Sequence, residues 1–414
     1  MNKNILKDVI FNNISQGLQF GSRWVLNLVL IAFLNIEDFA VFSFVYSLSN
    51  ILVSLLPFGS SIFLISKDLN KNENSDVLQD SLTIVLLLFL LVFILYLILT
   101  PFLGNVSGWG LMSYGIILSL ALSLNLVLFS FFKGLGMFKT EMYAYTFFSI
   151  SLLIFVFYLY INSGVTDISF IFKYLIMINF FVFIGTLVFT YKRSTIFNKK
   201  NYKGVLKNTL LKFKKRRYFG FQEIVSAIYT QVGLIILFYI IDETTYGYYR
   251  ALFVIMAPIF MITVAISQVV LNQFKQKRAS LINLKYFFRK TQKYTLGLGA
   301  LILSFFYLFR DIIFNFIDIK IDQESMISFN IIIFILIMRF IFSNYEMLLV
   351  VLDKQKQRFW IMFVSAVISI ALMFILLPEQ GLVGAFFINF IAYFIVMIGT
   401  LIISERTLNS LLKS

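Results

Sequence analysis

Residues 11–33 read FNNISQGLQFGSRWVLNLVLIAF. About 20 apolar residues suffice for a helix to cross about 30 Å of hydrocarbon, and this stretch meets that length. Its polar side chains are not scattered. Asn12, Gln16, Gln19, Arg23 and Asn27 follow one another at steps of 4, 3, 4 and 4, which places all five on one face of an α-helix. A cation at the bilayer centre costs at least about 2.5–3.5 kcal/mol on insertion scales. Arg23 must therefore meet water, a partner helix or an anion. Interhelical hydrogen bonding accounts for short polar stripes, whereas the length of this one and its charge favour a cavity wall.

The rest of the chain is built alike. Hydrophobic residues make up 60% of its 414 residues and charged residues 13%, with a mean hydropathy of +0.90. A soluble protein of this size could not cover itself with so little charge. Twelve apolar segments of spanning length stand out: 11–33, 40–65, 81–100, 111–132, 142–161, 168–190, 218–241, 246–271, 294–309, 326–351, 359–377 and 382–403. The first is too long and too polar for a cleavable signal core. The expected class is an all-α membrane protein of twelve transmembrane helices.

Charge sets the expected orientation. With the N-terminus in the cytoplasm, the cytoplasmic loops and tails hold 29 of the 35 Lys and Arg, and the opposite loops hold two, Arg310 and Lys320. The remaining four, Arg23, Lys173, Arg250 and Arg339, lie inside the spans. This is a strong positive-inside asymmetry, so both termini are expected in the cytoplasm. The net charge of +15 belongs to short loops between apolar runs and does not indicate nucleic acid. The loop from Tyr191 to Arg217 carries eleven Lys and Arg and no acid. It reads as a topology anchor touching anionic membrane lipid, or as a partner site.

This loop divides the chain into two halves of six spans. The expected domains are a 1–190 N-terminal six-helix lobe, a 191–217 basic cytoplasmic linker, a 218–404 C-terminal six-helix lobe and a 405–414 cytoplasmic tail. A faint repeat joins the halves: Asn35-Ile-Glu-Asp38-Phe-Ala-Val-Phe42 leads into span 2, and Asp242-Glu-Thr-Thr245-Tyr-Gly-Tyr-Tyr249 leads into span 8, 207 residues later. Both enter an even-numbered span, so the halves share one membrane orientation. That predicts a parallel pseudo-twofold repeat about the membrane normal. The same offset sets Glu223, Ser226 and Thr230 of span 7 against Gln16, Gln19 and Arg23.

Further polar faces mark candidate sites. Span 2 carries Ser43, Ser47, Asn50 and Ser54, which fits helix–helix bonding. Span 10 carries Arg339, Ser343 and Glu346 on one face. Its two charges lie about 10 Å apart along the axis at about 1.5 Å per residue, so no simple close pair is expected. Each is expected to meet another helix, water or substrate. Lys173 and Arg250 lie near the periplasmic ends of spans 6 and 8, where they can also snorkel to the interface. Glu223 stands beside Arg216 and Arg217, and a structural role is open for it. Pro57 and Pro258 interrupt spans 2 and 8, and such prolines kink helices; Pro101 and Pro378 mark span ends.

The chain has no Cys and no His. Disulfides and thiolate ligation are excluded, and the side chain most used for proton transfer near neutrality is missing. No Walker loop, dinucleotide fingerprint, zinc signature or nucleophile elbow occurs. No catalytic residue, metal site or cofactor is expected, and any energy source is a proton or cation gradient or the substrate itself.

Two turns carry a family likeness: Phe132-Lys-Gly-Leu-Gly-Met-Phe-Lys139 between spans 4 and 5, and Pro378-Glu-Gln-Gly381-Leu-Val-Gly384-Ala385 entering span 12. With the architecture as a whole, they make the chain resemble the Wzx-type flippases of bacterial polysaccharide synthesis, within the multidrug/oligosaccharidyl-lipid/polysaccharide exporter superfamily. The resemblance implies a MATE-like, V-shaped arrangement of two six-helix lobes in the bacterial inner membrane, with alternating access and a monomeric protein. It also implies a sugar repeat unit on undecaprenyl pyrophosphate as the lipid-linked oligosaccharide carried. That substrate is anionic and suits Arg23, Arg339, Lys173 and Arg250, with Gln19 and Asn27 beside them, since guanidinium binds phosphate bidentately. Glu346 and Glu223 are then the coupling candidates. Drug-exporting relatives usually place an acid in helix 1, where this chain has Arg23. Peptidoglycan-precursor flippases usually have fourteen helices. A cation-coupled exporter of another substrate remains open, as does a membrane-embedded polymerase or glycosyltransferase. Such enzymes tend to show a large periplasmic loop, and the longest here is the short segment Arg310 to Ser325.

Overall fold

The computed structural model describes residues 3–66, 74–104, 108–161, 167–193, 233–278 and 280–413, together with Phe213, Arg216, Gly220, Phe221, Glu223, Ile224, Ala227 and Gln231. Among the described residues every extended element is a helix. They are α1 (Lys3–Phe33), α2 (Ile36–Leu55), α3 (Ser60–Ser66), α4 (Asn74–Leu103), α5 (Trp109–Gly134), α6 (Phe138–Ile161) and α7 (Ile168–Arg193). After the basic linker come α8 (Gly233–Ile240), α9 (Glu243–Lys277), α10 (Leu281–Leu308), α11 (Arg310–Ile317), α12 (Gln323–Val351) and α13 (Gln355–Lys413).

The expected spans map onto these helices. Eight described helices are long and apolar enough to cross a membrane, and nine if α10 and α11, bent by 57°, form one span. One of the eight is α13, where Gly381 adopts φ 46°, ψ −123° and divides the helix into the arms expected as spans 11 and 12. A positive φ of this kind suits glycine, which has no Cβ to clash. The first span lies within α1, which its polar stripe keeps below the apolar threshold. Most of span 7, with Ser226 and Thr230, lies outside the described residues, as does the linker from 194 to 212.

Local chemistry sets the helix ends. Asn35 Oδ1 accepts from Asp38 N at 2.7 Å, and Asp242 Oδ1 accepts from Thr245 N at 2.8 Å. The two segments related by the 207-residue offset thus make the same N-cap at the same position. Phe39 and Phe42 in one copy, and Tyr246 and Tyr249 in the other, are all buried. Asp322 caps α12 in a reciprocal capping box with Ser325, and this bonding holds the Asp322 carboxyl below its usual range. Pro57 ends α2: the chain turns through Leu56–Gly59, with Phe58 at φ 44° and Gly59 at φ 74°, before α3 begins. Pro258 behaves differently, because α9 continues through it as one helix.

The chain forms two compact units, Met1–Ile235 and Ile236–Ser414. In the first, α5 is the central helix: 83% of its best apolar window is buried, against 11% for α4. Gly115 lets α5 approach α2 closely, since a Cβ there would stand 2.8 Å from Val45. Ser49 Oγ of α2 donates to Gly115 O at 2.9 Å. On α4, Leu90, Leu91, Ile94, Leu97 and Ile98 are exposed, an apolar strip suited to lipid rather than water. Phe213, Arg216, Gly220, Phe221 and Glu223 belong to this unit as well. The Phe213 ring stacks on Phe58 at 4.0 Å, and Arg216 is fully buried.

In the second unit α12 packs against α9, α10 and α13. Its Asn344 Nδ2 donates to Gln292 Oε1 at 2.9 Å and Thr295 Oγ1 at 3.0 Å, and Gln292 Nε2 donates to Ile341 O at 2.8 Å. These bonds fix the rotation of α12 against α10. Ser404 Oγ donates to Tyr345 O at 3.2 Å and ties in the second arm of α13. The face of α12 that carries Arg339 and Glu346 is thereby oriented.

Candidate functional site

Arg23 is positioned by the packing of α1 on α6. Ser149 Oγ of α6 donates to Leu18 O at 3.0 Å and lies 3.2 Å from Ser22 Oγ. These bonds fix the turn of α1 just before Arg23. The neighbouring Phe148 then presents its ring 5.7 Å from the guanidinium carbon, a cation–π contact. A cavity of about 70 Å³ opens beside them, with Gln19, Arg23, Asn50, Asn125, Tyr145 and Asn179 as its polar lining. No carboxylate is among the described residues that line it. Asn125 Nδ2 bonds Ala121 O at 3.1 Å and Asn179 O at 2.8 Å, tying α5 to α7. Its Oδ1 is buried without a partner among the described residues.

Other expected members of the set lie elsewhere. Asn27 Nδ2 donates to Arg23 O at 2.7 Å within its own helix and is not part of the cavity lining. The side chain of Asn12 lies outside the described residues. Lys173 is exposed on α7, with its ammonium 5.8 Å from the Tyr114 ring. Arg250, on α9, is half-buried, and its Nε is buried without a partner among the described residues. Ser47 and Ser54 bond backward along α2, to Ser43 O and Asn50 O.

The second unit corrects the expectation for Arg339 and Glu346. The two do pair: Arg339 Nη1 lies 3.3 Å from Glu346 Oε2. The two residues are separated along the axis as their spacing dictates, but both side chains are long and share one face. Helical side chains also lean toward the N-terminus, so Glu346 reaches back toward Arg339. Arg339 Nε donates to Thr263 Oγ1 of α9 at 3.3 Å, and its guanidinium carbon lies 5.1 Å from the Phe342 ring. The other carboxylate oxygen, Glu346 Oε1, accepts from Arg358 Nε of α13 at 3.3 Å. One buried carboxylate is thus shared by two guanidinium groups.

Glu223 takes part in neither set of contacts. Its Oε2 accepts from Gly59 N at 2.8 Å and its Oε1 from Ser61 Oγ, so it caps α3 just after the Pro57 break. Arg216 does not pair with it. Arg216 Nη1 donates to Ser60 Oγ and Ser81 Oγ, both at 2.9 Å, and the guanidinium carbon lies 4.6 Å from the Phe63 ring. Burial pushes its pKa down to about 10.

Sequence reasoning passed over Arg358, Asn125, Asn179 and Tyr145. The two asparagines had a readable signal, as lone amides within apolar spans. Arg358 had none, because it sits one residue before span 11 and counts there as one more loop cation.

No family model matches the chain, and no curated protein matches it in sequence. Solved structures do match its fold. An inward-facing multidrug resistance MATE family transporter of the MOP superfamily superposes with a TM-score of 0.73 at 13% identity, covering 98% of this chain and 99% of that one. The lipid II flippase MurJ, in an inward closed conformation, gives 0.67 at 18% identity over 96% and 87%. A MOP superfamily transporter from Pyrococcus furiosus, described as having a binding pocket of reverse polarity that suggests a different function, gives 0.64 at 12% identity over 100% and 97%. The chain therefore has the multi-span helical fold of the MATE transporters and MurJ. At these identities the likeness is one of fold.

Proposed function

We propose that this protein is a flippase that moves undecaprenyl-pyrophosphate-linked oligosaccharide repeat units from the cytoplasmic to the periplasmic leaflet by alternating access. In this reading it resides in the bacterial inner membrane with both termini in the cytoplasm. Its halves, 1–190 and 218–404, act as six-helix lobes joined by the basic linker. The observation that carries the reading is the setting of Arg23. A guanidinium far inside a span lines a cavity whose wall is half apolar and whose other polar groups are amides and a phenol, with no carboxylate among the described lining residues. A cation so placed is neutralised best by an anion brought in from outside, and phosphoryl oxygens match guanidinium geometry. Arg339 supplies the corresponding cation in the second unit. Gln19, Asn50 and Tyr145 offer hydrogen bonds in the Arg23 cavity.

Glu346 is the coupling group of this proposal. While ionised it occupies Arg339; once protonated or screened by a cation it releases that guanidinium to substrate. Proteoliposomes containing the purified protein test the class. They should translocate an undecaprenyl-pyrophosphate oligosaccharide and leave a cationic dye where it was loaded. Export of the dye without movement of the lipid would place the protein with the cation-coupled exporters instead.

A further inference from the structure

Arg358 has no part in the reading above, yet it shares a carboxylate with the residue at its centre. We propose that Arg358 is the second anion-binding fork of the Arg339 site, and that Glu346 is an internal stand-in anion holding both forks until a substrate with two phosphoryl groups replaces it. The inference rests on the proposed anionic substrate and specifies how its diphosphate is recognised.

Three features support it. The first is an excess of donors. A guanidinium carries five N–H groups. Among the described residues Arg339 donates to Thr263 and Glu346, and Arg358 donates to Glu346 alone. Most of the N–H groups of both forks find no acceptor among the described residues, and the side chains keep 21% and 33% of their surface exposed, against 6% for Glu346. The cluster as a whole carries one positive charge more than it needs to be neutral.

The second feature is loose tenure. Both contacts to Glu346 measure 3.3 Å, longer than the roughly 2.7–2.9 Å of a good charge-assisted bond. Each oxygen meets one nitrogen, so neither fork is engaged bidentately. An anion able to offer two oxygens to each fork is better matched than the carboxylate it displaces.

The third feature is placement. Arg358 sits in the first turn of α13, beside Lys354 and Lys356, and that turn holds no acid. Cations at a helix N-terminus oppose the macrodipole, so three of them do nothing for the helix itself. They make the start of α13 a cationic cluster, next to Asp353, which pairs with Arg278. From there the groups run inward as Arg358, Glu346, Arg339 and Thr263. The charged and titratable groups facing Glu346 are Arg339 on its own helix, Arg358 in the first arm of α13 and Tyr393 in the second. Two phosphoryl groups bridge the two forks when the carboxylate is neutral or turned away.

Calorimetric titration of the full-length protein in detergent with farnesyl diphosphate and farnesyl monophosphate tests this. The unaltered protein should prefer the diphosphate by about tenfold, the equivalent of one additional charge-assisted contact. Arg358→Gln should lower diphosphate affinity about tenfold and erase the preference, and Glu346→Gln should raise diphosphate affinity severalfold. Arg358→Lys, which keeps the charge on Glu346, covers the case in which the glutamine variant does not fold; it should also lose most of the preference. The double variant Arg358→Gln/Glu346→Gln separates binding from packing. A preference that stays lost in it supports direct contact, and one that returns shows that Arg358 merely places Glu346 and overturns the proposal. A preference unchanged in folded Arg358→Gln or Arg358→Lys, with binding lost in Arg339→Gln, overturns the second fork and leaves the anionic reading standing. Binding unaffected by both Arg339→Gln and Arg358→Gln removes the anionic reading of this site itself.

Discussion

Arg23 and Arg339 occupy comparable positions, each far inside a long helix of its own unit, yet they are solvated in opposite ways. Arg23 lies beside an aromatic face and a cavity whose polar lining is amides and a phenol, with no carboxylate among the described residues that line it. Arg339 is held by a carboxylate that also holds a second arginine. Amides and rings lower the cost of a cation without cancelling its field, so on the proposed reading the Arg23 cavity stays positive. A carboxylate cancels the field but can be protonated or displaced, so the second unit carries a potential that can be turned on and off. On this account one unit attracts the anion and the other decides when it is held.

The largest effect that could break this contrast is on transport. Arg339→Ala should reduce flipping by about 10- to 100-fold, the cost of a charge-assisted bond of about 1.5–3 kcal/mol. Arg339→Lys should fall between, since it keeps the charge and loses the planar fork. Transport by a folded Arg339→Ala protein at the unaltered rate would remove its binding role.

Stability should separate the two units next. Glu346→Ala leaves two guanidinium groups without their shared partner. Breaking a buried pair costs about 3–5 kcal/mol; with both arginines partly exposed the expected loss is about 1–3 kcal/mol. Arg23→Gln removes a cation that has no ionic partner among the described residues and should cost less than about 1 kcal/mol. Thermal unfolding of the two proteins in detergent reads the difference, and equal losses would contradict the contrast.

Glu346→Gln sharpens the switching half of the account. The amide keeps the shape of the side chain and cannot take up a proton. Substrate binding should persist, and the dependence of flipping on pH or on a cation gradient should disappear. An unchanged dependence would assign the coupling to another group. Glu223 is the next to test, although its bonds to Gly59 and Ser61 give it a place in the α2–α3 turn.

The smallest effects concern the frame that carries both sites. Asn35→Ala and Asp242→Ala remove equivalent caps and should each cost about 0.5–2 kcal/mol. Similar losses would match the repeat. Because the chain lacks Cys, single cysteines report sidedness cleanly. A cysteine at Gln323, exposed in the same segment, should react with an impermeant reagent from outside, and one at Asn201 should not; the reverse would overturn the orientation.

Hydropathy made most of the helices legible, because crossing hydrocarbon forces long apolar runs whatever their neighbours. It does not mark where a helix itself begins. The apolar run of span 9 starts near 294, yet α10 begins at Leu281 and carries Lys285, Arg289, Lys290 and Lys293, since a helix continues in water when its turns remain bonded. Periodicity placed Gln19 beside Arg23, and Arg339 beside Glu346, on shared faces. It could not give the reach of a long side chain, and so it missed the Arg339–Glu346 pair. It could not show the partner across a turn either, and so Arg358 looked like a loop cation. Arg216 hid in the same way, as one of eleven cations in a linker, although its guanidinium is buried against Ser60, Ser81 and Phe63.

The central claim is that guanidinium groups in both units carry an anionic lipid across the membrane. Its most direct test is the rate at which the double variant Arg23→Gln/Arg339→Gln flips an undecaprenyl-pyrophosphate oligosaccharide in proteoliposomes, with folding verified beside the unaltered protein. The account predicts a rate indistinguishable from protein-free vesicles. A folded double variant that flips the lipid at the unaltered rate would contradict it.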